Sequence, residues 1–285
     1  MVKNRYPLTR FSKEDIRRLQ PAMKVGILAT VNPQGLPHLT LITTLMASSP
    51  EQVVWGQFME GSSKEHVRLN PRTGFLIMLL DKNLWRGKAD FTHTACEGKD
   101  YDYYNNTPLF RYNAYFGVHT VYYMDLLAHT GCLPLPMNRV VLAAVKTMAA
   151  RLLPGQRSTQ PVLNPWTQAF FNKLDNLKFL SYVGADDYPV VIPLIQAQAL
   201  DREHLVFSTS AYSDELAEIP AYTSVAVFGM ALTMEDVLVR GVYQGSRRMG
   251  GMHCGVVQID WVYNPMPPKP MQIYPELAIQ PVREF

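Results

Sequence analysis

The segment Gly61-Ser62-Ser63-Lys64-Glu65-His66-Val67-Arg68-Leu69-Asn70-Pro71 opens with two hydroxyls and a lysine and closes on an Asn-Pro stop. A residue before proline is driven out of the helical region, so a short helix ends near Asn70 and starts around Ser62 or Ser63. Lys64 then lies in the first turn. Unpaired backbone N–H groups and the positive dipole end, joined by two hydroxyls and an ammonium, make a cradle for a phosphate. Serine caps and a solvated lysine also occur on helices that bind nothing, so the segment alone leaves both readings open.

The elements that would hold this helix recur along the chain. Ile27-Leu28-Ala29-Thr30-Val31-Asn32-Pro33-Gln34-Gly35-Leu36-Pro37 aligns with Phe179-Leu180-Ser181-Tyr182-Val183-Gly184-Ala185-Asp186-Asp187-Tyr188-Pro189, strand, turn and proline each time. At the same shift of 152, Val53–Gln57 falls on Leu205–Thr209. Leu84-Trp85-Arg86-Gly87 is expected to match Leu238-Val239-Arg240-Gly241 after small length changes. A helix start precedes each copy, Ser12-Lys13-Glu14-Asp15 as a capping box and Asn164-Pro165-Trp166 with proline in the first turn. A closing strand and a proline-rich exit end each one: Val118 to Ala128, then Leu133-Pro134-Leu135-Pro136; Val256 to Tyr263, then Asn264 to Pro268.

Short strands with turn signals every 8 to 12 residues and few helices read as a closed or nearly closed antiparallel barrel in each copy. The expected fold class is mainly β, with two tandem barrels. The expected domains are 1–153, which takes in a helix over Asn138 to Leu153, then a linker at 154–163, then 164–285.

The chain has 285 residues, 47% hydrophobic and 18% charged, which suits two globular domains. Its net charge is +3 and its 27 basic residues are scattered, a poor basis for nucleic-acid binding. Cys96, Cys132 and Cys254 form neither a disulfide framework nor a metal knuckle, which fits a reducing, cytoplasmic setting. Neither a secretory signal nor a membrane span is expected, because Val140 to Leu153 is short and carries Lys146 and Arg151. His93 with Cys96 and His253 with Cys254 lack the spacing of a zinc site.

The ordered set Ala29 to Pro37, Ser62-Ser63-Lys64, Asn70-Pro71-Arg72 and Arg86-Gly87-Lys88-Ala89 resembles the pyridoxamine 5′-phosphate oxidase-like family of split β-barrels, which bind flavin mononucleotide (FMN). The resemblance covers Met23 to Asn106 and, more weakly, Leu177 to Gln244. It implies FMN as cofactor, with Ser62, Ser63 and Lys64 on the phosphate and Thr40, Leu41, Ile42 and Thr43 along the ring and ribityl chain. Gln57 matches a hydrogen-bonding position on the strand that leads into the phosphate loop.

The second copy departs from the pattern. Lys64 falls on or near Asp214, whose carboxylate would repel a phosphate, whereas Ser208-Thr209-Ser210 keeps hydroxyls that Gly56-Gln57 lacks. Tyrosines in Glu97 to Asn106 would form a lid or cover the barrel mouth, and Gly245 to Gly251 reads as a flexible basic loop. Nothing from Gln272 to Phe285 resembles the substrate end of the true pyridoxamine phosphate oxidases. The resemblance implies a flavin-dependent oxidoreductase acting on a small substrate. It leaves open an electron carrier or sensor that serves a redox partner, and a barrel that holds haem or a deazaflavin. Family members bind flavin between two barrels, so the chain is expected to act as a pseudo-dimeric monomer or a homodimer.

Overall fold

In the computed structural model, residues 5–20, 23–57, 61–108, 111, 117–153, 158, 160–266 and 270–277 are described. The first copy runs α1 (Lys13–Leu19), β1 (Lys24–Val31), β2 (Pro37–Leu41), β3 (Met46–Ser49), β4 (Gln52–Gln57), α2 (Ser63–Leu69), β5 (Arg72–Leu79), β6 (Asn83–Ala95), α3 (Lys99–Asn105), β7 (Thr120–His129) and β8 (Leu133–Pro134). After α4 (Met137–Leu152) the second copy runs α5 (Pro165–Asn172), β9 (Leu177–Val183), β10 (Pro189–Pro193), β11 (Gln198–Ala199), β12 (His204–Ser208), α6 (Ser213–Ala217), β13 (Thr223–Met230), β14 (Asp236–Met249), β15 (Met252–Asn264) and β16 (Met271–Tyr274).

Each copy folds into an eight-stranded sheet in which the order of the seven main strands is the same and the eighth strand pairs with a different neighbour. The first is β2-β1-β5-β6-β7-β4-β3 with β8 beside β6; the second is β10-β9-β13-β14-β15-β12-β11 with β16 beside β15. The chain is therefore mainly β, two tandem split barrels. Core strands are buried on both faces, as along the whole of β1. The first core gathers Trp55, Phe75, Trp85 and Tyr122 with Leu19 from α1 and Val67 from α2.

Backbone hydrogen bonds reproduce the repeat at the shift of 152. Asn32 donates to Leu36 O at 2.9 Å and Gly184 to Tyr188 O at 2.8 Å; Ile42 donates to Gly26 O and Leu194 to Lys178 O, both at 2.7 Å. Both turns need a left-handed residue, supplied by Gly35 at φ 76° and by Asp187 at φ 64°. Aspartate tolerates that region because its short side chain bonds locally.

The same shift continues unbroken through β6 and β14. Met78 pairs with Leu84 as Met230 pairs with Asp236. Bulges fall at matching places, Lys88/Ala89 with Arg240/Gly241 and Phe91/His93 with Tyr243/Ser246. This corrects the expected match: Leu84 to Gly87 correspond to Asp236 to Val239, not to Leu238 to Gly241. Shared Leu and Arg-Gly letters outweighed register in the sequence comparison, although a slip of two keeps each side chain on its own face.

The chain divides into two compact units, 1–136 with 181–191 and 137–180 with 192–285. Helix α4, expected in the first domain, belongs to the second unit. Its Ala150 packs with Val206, Cys254 and Val256, and its Thr147 hydroxyl accepts the Ser208 N–H at 2.8 Å. Of the expected linker, residues 154–157 and 159 lie outside the described residues, as do Pro267, Pro268 and 278–285 at the C-terminal end. Gly245 to Met249 is strand, not loop: Arg247 pairs with Cys254 and Arg248 with His253, and only Gly250-Gly251 turns. Among the described residues no helix is long and apolar enough to cross a membrane.

Both expected helix starts are capped. Ser12 and Asp15 exchange bonds as a capping box, and the Asn164 side chain accepts the Thr167 N–H at 2.8 Å. Replacing Ser12 with alanine is expected to cost about 1 kcal/mol, read as a lower denaturation midpoint. An unchanged midpoint would mean that α1 owes its place to packing alone.

Candidate functional site

Helix α2 is short and lies against β1 and β2, with Ser63, Lys64, His66 and Val67 turned inward. Val67 enters the barrel core, which anchors the helix and draws its neighbours out of solvent. Ser63 and Lys64 are consequently buried, at 3% and 9% exposure, rather than lying on a solvated first turn. The Ser63 hydroxyl meets the Thr40 hydroxyl of β2 at 2.6 Å. Three residues along α2, the His66 imidazole pairs through Nδ1 with the Thr30 hydroxyl of β1 at 3.1 Å. The His38 ring stands edge-on to His66 at 5.0 Å.

These contacts form one polar seam. Thr30 and His38 are cross-strand partners, and Thr40 follows His38 on the same face of β2. The seam is a line of hydroxyls and imidazoles beneath a helix whose Lys64 is also buried. Such a line can hold and orient an anion, because hydroxyl and imidazole N–H groups donate and low local polarity strengthens each bond.

The expected site residues separate into three groups. Thr40 and Ser63 belong to the seam, and Lys64 follows Ser63 as a buried residue of α2. Ser62 precedes α2 in a helical conformation, and its side chain does not cap the helix. Its carbonyl accepts the Glu65 and His66 N–H groups, both at 3.1 Å.

Gln57 is held elsewhere: its side-chain oxygen accepts the Tyr122 hydroxyl at 3.0 Å, and Tyr122 stacks on Trp55 at 3.9 Å. Ile42 is part of the hydrophobic core, so its side chain serves packing; Leu41 and Thr43 are half-buried beside it.

Gly56 lacks a hydroxyl for a steric reason. A Cβ there would stand 2.7 Å from Val118 and 3.2 Å from the Tyr104 ring. Tyr104 itself is buried and donates to Thr44 O at 2.7 Å, so the tyrosine segment places this ring as a barrel cover. Burial and nearby Asp100 hold the Tyr104 hydroxyl well above the usual tyrosine range. In the second copy the Ser208 hydroxyl lies 3.0 Å from that of Ser210 within the turn before α6. At the constant shift, Ser62, Ser63 and Lys64 correspond to Asp214, Glu215 and Leu216. The lysine position is thus a buried leucine, and the carboxylates stand where the serines were. Among the described residues no group of three or more His, Cys, Asp or Glu side chains gathers as a metal site.

Thr30, His38 and His66 did not emerge from motif reading. Their signal was periodicity: His38 and Thr40 are two apart on a strand, and Ser63 and His66 three apart on a helix.

No protein-family model and no curated protein matches the chain. Several solved structures are similar to it. An FMN-binding protein from Syntrophomonas wolfei is 14% identical over 41% of this chain and 82% of its own, with a TM-score of 0.34. A candidate pyridoxamine 5′-phosphate oxidase from Lactobacillus delbrueckii is 12% identical over 43% and 95%, with a TM-score of 0.33. An F420 reductase is 17% identical over 41% and 98%, with a TM-score of 0.33. Each likeness covers 41–43% of this chain. The repeated strand order within the chain itself makes it a protein of two tandem split β-barrels.

Proposed function

We propose that the first barrel binds FMN and that the protein is a flavin-dependent oxidoreductase acting on a small substrate. The observation that carries this reading is the 2.6 Å contact between the Thr40 and Ser63 hydroxyls, next in sequence to buried Lys64. It joins the strand expected to run beside the flavin with the turn expected to hold its phosphate. One of the two hydroxyls donates to the other, and the acceptor keeps its own proton to offer to a phosphate oxygen. The Lys64 ammonium supplies the positive charge, which acts more strongly where water is scarce.

When bound, the flavin supplies the hydride-accepting centre, and the protein's share is binding, orientation and exclusion of water. The residues present fit the phosphate end. They fit the ring end only in part, because Ile42 is committed to the core and Gln57 to Tyr122. With Asp214, Glu215 and Leu216 in place of the serines and lysine, the second barrel offers no equivalent cradle, so one FMN per chain is expected.

The test is the visible spectrum and the mass of the released cofactor, for wild type, Ser63→Ala and Lys64→Met, with circular dichroism as a check on folding. Flavin bands in the wild type and at least about ten-fold weaker FMN binding in both folded variants are the expected result. A colourless wild type that rejects added FMN would refute the reading. Haem or deazaflavin bands would keep the barrel as a cofactor holder but replace the chemistry.

A further inference from the structure

Helix α4 is apolar on two sides. Val140, Ala143, Thr147 and Ala150 are buried and seat the helix on the second barrel, where Val140 and Ala143 meet Ala211, and Ala150 meets Val206, Cys254 and Val256. The opposite side of a surface helix ordinarily carries its charged and polar residues. On α4 that side holds Val141, Leu142, Val145, Met148 and Leu152, exposed by 56%, 53%, 58%, 42% and 81%. From Val141 to Leu152 every exposed residue is apolar, with Ala149 completing the set.

The charges of the helix are directed elsewhere. Its sequence contains no Asp or Glu. Arg151 is half-buried, and its guanidinium donates to the Gln198 side chain of β11 at 3.3 Å. Lys146 is half-buried as well and acts electrostatically on the buried Cys254 thiol of β15. Arg139 lies before the exposed apolar side begins.

The exposed residues have the spacing of a helix-pairing seam. Val141, Val145, Met148 and Leu152 follow one another at intervals of four, three and four, the a/d pattern of helices that pack at a shallow angle. The five large side chains leave on the order of 500 Å² of apolar surface to water, toward the upper end of the patches that monomers expose. Two such faces would bury about 1,000 Å² together, which reaches the size of a specific interface.

We propose that α4 is a self-association surface and that it pairs with α4 of a second copy of this chain, antiparallel about a two-fold axis. The four-three-four spacing reads the same from either end. The axis therefore crosses the middle of the seam, where Val145 of each copy packs on Met148 of the other, and Val141 on Leu152. An antiparallel pair also sets opposite ends of the two helix dipoles side by side. A membrane surface is the poorer occupant, because a helix that lies on lipid sets Lys and Arg beside its apolar face. Here Lys146 and Arg151 are drawn toward their own barrel. This inference is independent of the flavin reading, which concerns the first barrel.

The experiment is sedimentation equilibrium of the full-length protein for wild type, Val145→Glu, Met148→Lys and an equimolar mixture of the two variants, with circular dichroism as a check on folding. A dimeric wild type and at least about ten-fold weaker association of each variant alone are expected, since each variant dimer would bury two unpaired charges. The mixture should recover the dimer, because the introduced carboxylate of one variant then faces the introduced ammonium of the other. A wild type that stays monomeric at about 100 μM overturns the proposal. If that monomer binds vesicles of phosphatidylglycerol and phosphatidylcholine and Val145→Glu does not, the face belongs to a membrane instead. A dimer that both variants leave intact is equally fatal, because it places the contact elsewhere. A mixture that stays monomeric refutes the antiparallel pairing. Should one variant fail to fold, the other decides whether α4 is the contact.

Discussion

Trp85→Ala is expected to destabilise the first barrel by about 3–5 kcal/mol, the range for removing a large aromatic side chain from a packed core. Trp85 is wholly buried and packs in the cluster that holds Leu19, Phe75 and Tyr122. Its loss would open a cavity and also remove the donor to Asp15 and the ring beneath Arg18. Asp15 keeps its bonds to Ser12, so α1 should stay capped while losing its attachment to β6. Chemical denaturation followed by tryptophan-independent circular dichroism measures the change. A loss below about 1 kcal/mol would mean that the corner collapses around the vacancy and that Trp85 is not a keystone of this barrel.

The second large effect concerns Lys178, a lysine with 0% exposure in the second unit. Its ammonium donates to Lys173 O at 2.6 Å and to Ile195 O at 3.3 Å. Burial depresses its pKa from 10.5 to about 8, and Asp175 offsets this only partly. Between about pH 8 and 10.5 the unfolded chain therefore holds a proton that the folded chain has released. Stability gains wherever the unfolded state binds more protons, so this group makes the protein more stable as pH rises through that window. The shift corresponds to about 3 kcal/mol in total. Below pH 8 the folded state carries the charge and the gain is absent.

Lys178→Met removes the titration while keeping the length of the side chain. The difference in unfolding free energy between wild type and variant should change by up to about 3 kcal/mol from pH 7.5 to pH 10.5, in favour of the wild type at the higher pH. Lys24, which burial also lowers to about 8, is present in both proteins and cancels from the comparison. A difference that stays flat across that range would show that Lys178 titrates alike in the folded and unfolded chains.

Much of the fold was legible in the sequence because it is repeated. Paired turns at Asn32 to Leu36 and Gly184 to Tyr188, and paired caps at Ser12 and Asn164, are short-range features whose residue types encode their backbone geometry. The register of β14 was misread because matching letters, Leu and Arg-Gly, occur two residues from the structural match. Helix α4 was assigned to the wrong unit because its chain neighbours are on the first side and its contacts on the second. Its amphipathic pattern announces a helix but not the surface it will cover.

The candidate site was legible in type and only partly in arrangement. Ser63, Lys64 and Thr40 were singled out; Ser63 and Thr40 meet in one seam, and Lys64 is buried beside them in sequence. Gln57 and Ile42 were singled out too, but their side chains go to Tyr122 and to the core. Thr30, His38 and His66 complete the seam without any motif of their own.

The sequence by itself determined that this chain is a duplicated, mainly β protein and that only its first copy carries a serine-lysine turn, because turns, caps and strand alternation act over a few residues. Only the tertiary structure decided which polar side chains meet, that Lys64 is buried, and that Phe170 packs on Gly229 in the second copy at the place where the first copy has Trp85 over Ile77. Those outcomes depend on contacts between residues far apart in the chain, which a linear pattern does not record.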